Sequence, residues 1–372
     1  MAEVARRGTA VLDAELALER RALEGRCAPY ARALAILPRV LSGPAGRFLG
    51  AAWEHRAFFA PYDRPLLLLA ALRHEALLDG PGHPLWDGFA APEPSAAAVT
   101  RERLAAALGG GRDRLWADLA RRGLKTNETS RAVAWLWPAA LAGGSHGGRP
   151  IALCDVGASA GLNLVADALP SIWTDPRGAP LEVVEAPAIV SRLGVVAEPL
   201  DAARDDDVRW LRACIWPGER DREARLDQAV QAFRATRIRP DAPVLAPVSA
   251  RDVPTRLDLL SAADGGALVL AYQTVVRDFL APAERAEYEA GMRGWVGAHP
   301  PGQALWMELE VVTGTEPVAG ALVAHVRAPS GEARSVELAR CDVHPRLVDP
   351  SPEGVAEVRA LLAPSERAEA RP

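Results

Sequence analysis

The texture of the chain changes once, and that change constrains the fold more than any other feature. Up to about residue 141, apolar residues recur at helical spacing with charges between them. The stretches 11–23, 31–41, 66–78, 96–108, 113–122 and 130–141 read as helices, and no period-two alternation interrupts them. Pro65 opens the third of these and Gly80 follows its end, the usual asymmetry of helix termini. A Gly-rich stretch, 142–150, then leads into a half where short apolar runs alternate with helical segments. Strands are expected at 151–156, 181–184, 195–200, 244–248, 267–272 and 304–312. Helices are expected between them, at 161–168, 206–214, 222–236, 253–262 and 282–299. Two further strands, 321–327 and 335–338, flank Pro329-Ser330-Gly331 and read as a closing hairpin. This alternation predicts an α/β domain with a mainly parallel sheet and an antiparallel edge. The expected organisation is an all-α N-terminal domain over 1–145, packed over the crevice of a Rossmann-like α/β domain over 146–363. A loose polar tail occupies 364–372.

Composition narrows the partners. A chain of 372 residues suits two domains better than one core. The formal net charge of −5 argues against nucleic acid held by a basic surface. The longest apolar run, 66–72, falls far short of the ~20 residues of a membrane span. The first residues lack the apolar core of a secretory signal. Cys27, Cys154, Cys214 and Cys341 are scattered, with no C-x-x-C pair, so a reduced cytoplasm is expected. His74-Glu75 begins like H-E-x-x-H, but Leu78 ends that likeness, so no metal is expected. The expected partner is a small-molecule ligand; nothing indicates an oligomeric state.

The sharpest motif is Ile151-Ala-Leu-Cys-Asp-Val-Gly-Ala-Ser-Ala-Gly-Leu-Asn-Leu164. An apolar strand enters a turn of small residues and leaves as a helix. In open α/β sheets such turns line the ligand crevice, and amides at a helix start favour an anionic group. Two chemistries compete for these residues. One is the nucleotide loop of a class I S-adenosylmethionine methyltransferase, acidic-x-Gly-x-small-x-Gly, carried by Asp155, Gly157, Ala158, Ser159 and Gly161 with Asn163 behind. It also requires an acid for the ribose hydroxyls after the next strand, for which Glu185 and Asp201 are the candidates. Asp252 is expected near the adenine, and Tyr272 and Gln273 near the methyl group or acceptor. The other chemistry is a serine hydrolase elbow, since 157–161 matches G-x-S-x-G; Ser159 would attack, with His299, His325 or His344 as base. That fold places several strands before its elbow, whereas everything before this one is helical. A non-catalytic ligand-binding domain carries the same kind of turn for packing alone.

A second motif is Lys125-Thr-Asn-Glu-Thr-Ser-Arg131. A helix N-cap at Thr126 or Asn127 accounts for part of it. Yet Lys125 is the one lysine among 43 basic residues, and Asn127 and Asn163 are the two asparagines of the chain. In so biased a composition both asparagines are candidates for side-chain use. Asn127 and Glu128 are therefore expected to close the ligand site.

Together these motifs resemble a bacterial family of uncharacterised proteins, a domain of unknown function with a Rossmann-like, methyltransferase-type second half. The resemblance covers nearly the whole chain. It rests on Cys27 with Tyr30, His83-Pro84-Leu85, Thr126-Asn127-Glu128 with Arg131, and the stretch from Asp155 to Leu164. It continues in Trp210-Leu211, Trp216-Pro217, and Phe279-Leu280 with Pro282. The chain departs from the family where Gln273-Thr274 replaces His-Ser and where Val196 replaces an acid. The resemblance implies this fold and S-adenosylmethionine as the cofactor, with no particular acceptor.

Overall fold

The computed structural model describes residues 2–126, 128–145, 150–181, 183, 188–263, 266–312, 314 and 319–363. The chain forms two compact units. One comprises Met1–Thr126 with Arg204–Ala224, the other Asn127–Ala203 with Arg225–Pro372.

The first unit is helical. It holds α1 (Ala2–Leu23), α2 (Ala28–Leu41), α3 (Pro44–Trp53), α4 (Asp63–Asp79), α5 (Trp86–Phe89), α6 (Arg101–Ala107) and α7 (Asp113–Arg121). From the later chain it takes α9 (Asp205–Ala213) and the start of α10 (Arg220–Thr236). Helix α4 is buried continuously from Leu67 to Ala76, as expected of a helix apolar on every side. Its one guanidinium inside that run, Arg73, fastens the later segment. It donates to the carbonyls of Phe89 (2.9 Å), Arg212 (2.5 Å) and Ile215, and to the Glu223 carboxylate. The neighbouring His74 ring bonds Asp118 at 2.7 Å, and Arg122 joins Asp118 to Asp206 and Asp207 in the first turn of α9. Those acids are stabilised by the helix dipole and by a counter-ion at once. The helix expected over 96–108 is two pieces, a 3₁₀ turn at Ala96–Ala98 and α6, because the Thr100 hydroxyl caps α6 through Arg103 N–H.

The second unit is α/β. Strands β1 (Ile151–Val156), β2 (Ile189–Val196), β3 (Val244–Pro247), β4 (Leu268–Thr274), β5 (Ala304–Val312), β6 (Ala319–Arg327), β7 (Ala333–Cys341) and β8 (Val348–Pro350) form one sheet. Its order is β3-β2-β1-β4-β5-β6-β7-β8; the first five are parallel and the last three antiparallel. One face packs against α8 (Val133–Ser145) and α13 (Pro352–Leu362), the other against α11 (Val253–Ala263) and α12 (Pro282–Ala298). Strand alternation divides β4 accordingly. Leu268, Leu270 and Tyr272 join the α8 side; Val269 and Ala271 join the α12 side, which is also the side of Gln273.

Three expectations are corrected here. In place of the strands expected at 181–184 and 195–200 stands one strand, β2, over Ile189–Val196; Leu181 and Val183 are irregular, and Glu182 and Val184 lie outside the described residues. Arg192 and Gly194 disguise it. Arg192 is buried because Asp167 (2.7 Å), Asp241 (3.2 Å) and the Leu164 carbonyl satisfy it. Gly194 is small because Leu245 and Ala158 crowd its position. The helix expected over 161–168 is a 3₁₀ segment, Leu162–Ala168, that follows Gly161 in the left-handed region. The cap at 126–127 is instead Glu128, whose carboxylate accepts from Ser130 N–H at 3.2 Å.

A Cβ at position 194 would lie 2.4 Å from Leu245 Cδ2 and 2.8 Å from Ala158 Cβ. Gly194→Ala is therefore expected to cost about 1–3 kcal/mol through overpacking. Urea unfolding would show a lower midpoint with an unchanged slope.

Candidate functional site

The sheet order reverses between β1 and β4, and both loops leaving that point are strained. Ser159 (φ 55°) and Val275 (φ 54°) are the two non-glycine residues at positive φ among the described residues. A β-branched residue there is a true outlier, and such strain gathers at functional sites. The loops also meet. Gly157 turns at φ 82°, and a Cβ on it would lie 2.8 Å from Val276 Cγ2. On the other side the loop is pinned to β2, since Gly157 and Ala158 N–H both reach the Val195 carbonyl at 2.8 and 3.3 Å. A Cβ on Gly161 (φ 72°) would lie 2.8 Å from Leu245 Cδ2, so a side chain there would be strained and crowded. Ala158, Ser159 and Ala160 are buried.

Asp155, the last polar residue of β1, is 3% exposed. Burial pushes its carboxyl up to about 7, and the Tyr272 hydroxyl opposite it on β4 pulls the other way. That approach falls short of a well-formed hydrogen bond: Asp155 Oδ2 and the Tyr272 hydroxyl both lack one. Tyr272 lies 6.5 Å, ring to ring, from Trp135 of α8, whose indole N–H donates to the Asn163 carbonyl at 2.8 Å. The Asn163 amide oxygen is also buried without a partner, as is the Ser130 hydroxyl. Ser130 belongs to the 3₁₀ turn Thr129–Ala132, held by Trp173 N–H to its carbonyl at 2.7 Å and by Arg131 to the Val343 carbonyl at 2.8 Å. Glu128, ahead of that turn, is held by Arg225 at 2.9 and 3.1 Å. Residues 128–131 of the second motif thus meet the first within the second unit, and several buried polar atoms are left without a hydrogen bond on the α8 side of the sheet. Buried polar groups are normally paired, so each such atom calls for an explanation.

Other expected site residues lie elsewhere. Gln273 is on the opposite face of the sheet. Its amide donates to Glu310 (2.7 Å) and accepts from the Tyr288 hydroxyl (2.5 Å) and Trp306 indole (3.2 Å). Every strong bond of that side chain braces β4 against β5 and α12. Glu310, pushed up to about 7 by burial, also accepts from Val276 N–H at 3.0 Å and so supports the strained β4 loop. Asp201 is exposed, five residues beyond the end of β2, and accepts from Ala203 N–H. Asp252 follows β3 on the carboxyl side and accepts from the Ser249 hydroxyl. Glu185 and Asn127 lie outside the described residues. Glu198, two residues past β2, is a further exposed acid, which a strand expected at 195–200 hides.

Residues 17–349 match the family described as "Uncharacterized protein conserved in bacteria (DUF2332)". The chain belongs to that family. No curated protein and no solved structure matches it.

The DUF2332 chain has a second polar cluster, in its helical unit. Glu75, Asp79 and His83 bring ligand atoms within 4.8 Å of one another. Arg112 already occupies the role of a cation, at 2.6 Å from Asp79 and 3.4 Å from Glu75. His83 Nδ1 accepts from Leu85 N–H, and burial holds its ring near 4, so the neutral ring carries its proton on Nε2. That tautomer opposes metal ligation. No described helix of this family member is long and apolar enough to cross a membrane.

The raised Asp155 carboxyl has a stability consequence. Between the ordinary carboxylate range and pH 7 the folded protein binds the proton more tightly than the unfolded chain. This group's contribution therefore falls as pH rises through that window. Asp155→Asn removes the effect. The variant's stability relative to wild type is expected to grow from pH 4 to pH 8, by up to roughly 4 kcal/mol. Urea unfolding at both pH values measures it, and a pH-independent difference would refute it.

Proposed function

We propose that this DUF2332 protein is a methyltransferase-like enzyme that binds S-adenosylmethionine and acts on a small acceptor. The observation that carries the reading is Asp155. It is a carboxyl buried at a cost to folding, with an unpaired oxygen, at the point where strand order reverses. Ligands of open α/β sheets bind outside the strand ends at such points. Strained backbone on both flanking loops supports the same location.

The donor set fits the cofactor. Asp155 Oδ2 would accept from the ammonium of its methionine moiety, and the Asn163 oxygen and Ser130 hydroxyl offer further polar partners. Gly157, Ala158, Ser159 and Gly161 would let it approach the backbone. Glu198, past β2, takes the ribose role expected of Glu185 or Asp201, and Asp252 stands past β3 for the base. The bound cofactor would supply an electrophilic methyl group. Tyr272 holds the Asp155 carboxyl toward its ionised form. Gln273 acts as a positioning residue that fixes the end of β4. Glu128, neutralised by Arg225, anchors the segment beside the loop. Methyl transfer of this kind needs alignment more than a general base.

A second reading rests on the positive φ of Ser159, since a serine elbow is strained in this way. Its base is the difficulty. His299 Nδ1 bonds the Trp295 carbonyl, and both ring nitrogens of His325 are engaged by Ser335 and Glu308. His344 follows β7 in the connection to β8.

Calorimetric titration with S-adenosylhomocysteine tests the first reading. Wild type is expected to bind with micromolar Kd, and Asp155→Asn to bind at least tenfold more weakly while remaining folded. Absence of heat, together with no rise in Tm at millimolar ligand, would sink it.

A further inference from the structure

The histidine that fails Ser159 has its own serine. On β5, β6 and β7, across β4 from β1, Ser335 Oγ lies 2.8 Å from His325 Nδ1, and His325 Nε2 lies 2.7 Å from Glu308 Oε2. The sheet itself sets this alignment: His325 is the register partner of both Trp306 on β5 and Ser335 on β7. Glu308 and His325 are buried, whereas Ser335 is exposed. A nucleophile in solvent, a sheltered base and a buried orienting acid is the arrangement that activates a hydroxyl.

The proton assignment follows from the neighbours. Arg277 Nη2 donates to both Glu308 oxygens at 2.8 Å, so the carboxylate stands here as an acceptor. It therefore takes a hydrogen bond from His325 Nε2–H. In the neutral ring Nδ1 then carries the lone pair and faces the Ser335 hydroxyl. Trp306 stacks on the His325 ring at 4.2 Å and 25°, so the imidazolium formed on proton transfer would rest on an aromatic face. Arg277 also pairs with Glu289 of α12 at 3.0 Å, which fixes the acid from behind.

We propose that Ser335, His325 and Glu308 form a second site with nucleophilic serine chemistry, acting on small activated esters at the sheet surface. Ser335 Oγ bonds to the acyl carbon as its proton passes to His325 Nδ1. The carbon–oxygen bond to the leaving alcohol breaks, and that proton leaves with the alcohol. Water then adds to the acyl carbon, gives its proton to His325, and releases the acid as the proton returns to Ser335. With a fluorophosphonate the first half suffices: an Oγ–phosphorus bond forms, fluoride departs, and the proton passes through His325 to solvent. This site is independent of the cofactor reading, which can fail without touching it.

The test is labelling of the full chain with a fluorophosphonate, with the modified residue located by peptide mass spectrometry. Modification of Ser335 is expected, at a rate that rises with pH and falls at least tenfold in His325→Gln. Ser335→Ala, an exposed change, is expected to abolish the label without altering Tm. Absence of label at Ser335, label confined to Ser159, or a rate at Ser335 that is flat from pH 5 to pH 9 would overturn the proposal. The last measurement uses wild type alone, so it decides the matter even where His325→Gln fails to fold.

Discussion

A carboxyl buried where the sheet reverses its order governs the second unit. Taking an acid out of water is unfavourable, and Asp155 receives only partial compensation from Tyr272. The surrounding structure tolerates this because it is over-determined there. β1 is buried along its whole length, its loop is bonded to β2 through the Val195 carbonyl, and Gly157 is pressed against Val276. A chain selected for stability alone would place an apolar residue at 155. The ligand role proposed for this carboxyl would account for its place there.

The two faces of the sheet divide the work. On the α8 face, beside Trp135, Asp155, Tyr272 and Asn163 each bring a buried polar atom that lacks a hydrogen bond. On the α12 face, Gln273 bonds Glu310, Tyr288 and Trp306, and Glu310 holds the β4 loop through Val276 N–H. Period-two alternation explains why neighbours in sequence, Tyr272 and Gln273, serve such different ends. A satisfied buried network is rigid, and rigidity behind a strained loop is what keeps Val275 in its unfavourable conformation.

Much of this was legible from the residues. The helical first half, β1 with its loop, the parallel succession through β5 and the closing hairpin all follow from periodicity and turn chemistry. β2 was not legible, because a buried Arg192 and a crowded Gly194 break the apolar run that announces a strand. Their reasons lie in Asp167, Asp241, Leu245 and Ala158, distant in sequence. The face assignment of Gln273 depends on strand register, which composition does not encode. The same holds for Ser335: its partners arrive through two antiparallel pairings, and nothing in its local sequence marks it. Glu128 was singled out through its unusual neighbours, and its partner Arg225 came only with the fold.

The fastening of Arg204–Ala224 to α4 sets an order for synthesis. Arg73 emerges from the ribosome well before Arg212, Ile215 and Glu223, which supply three of its four acceptors. Until Glu223, 150 residues further on, has been translated, the Arg73 guanidinium lacks its full set of acceptors and has Phe89 alone among them from the first half. The first half of the chain must wait, incompletely packed, while β1 and β2 are made. The helical unit has its last segment only once Ala224 is made, when β3 to β8 of the second unit are still to come.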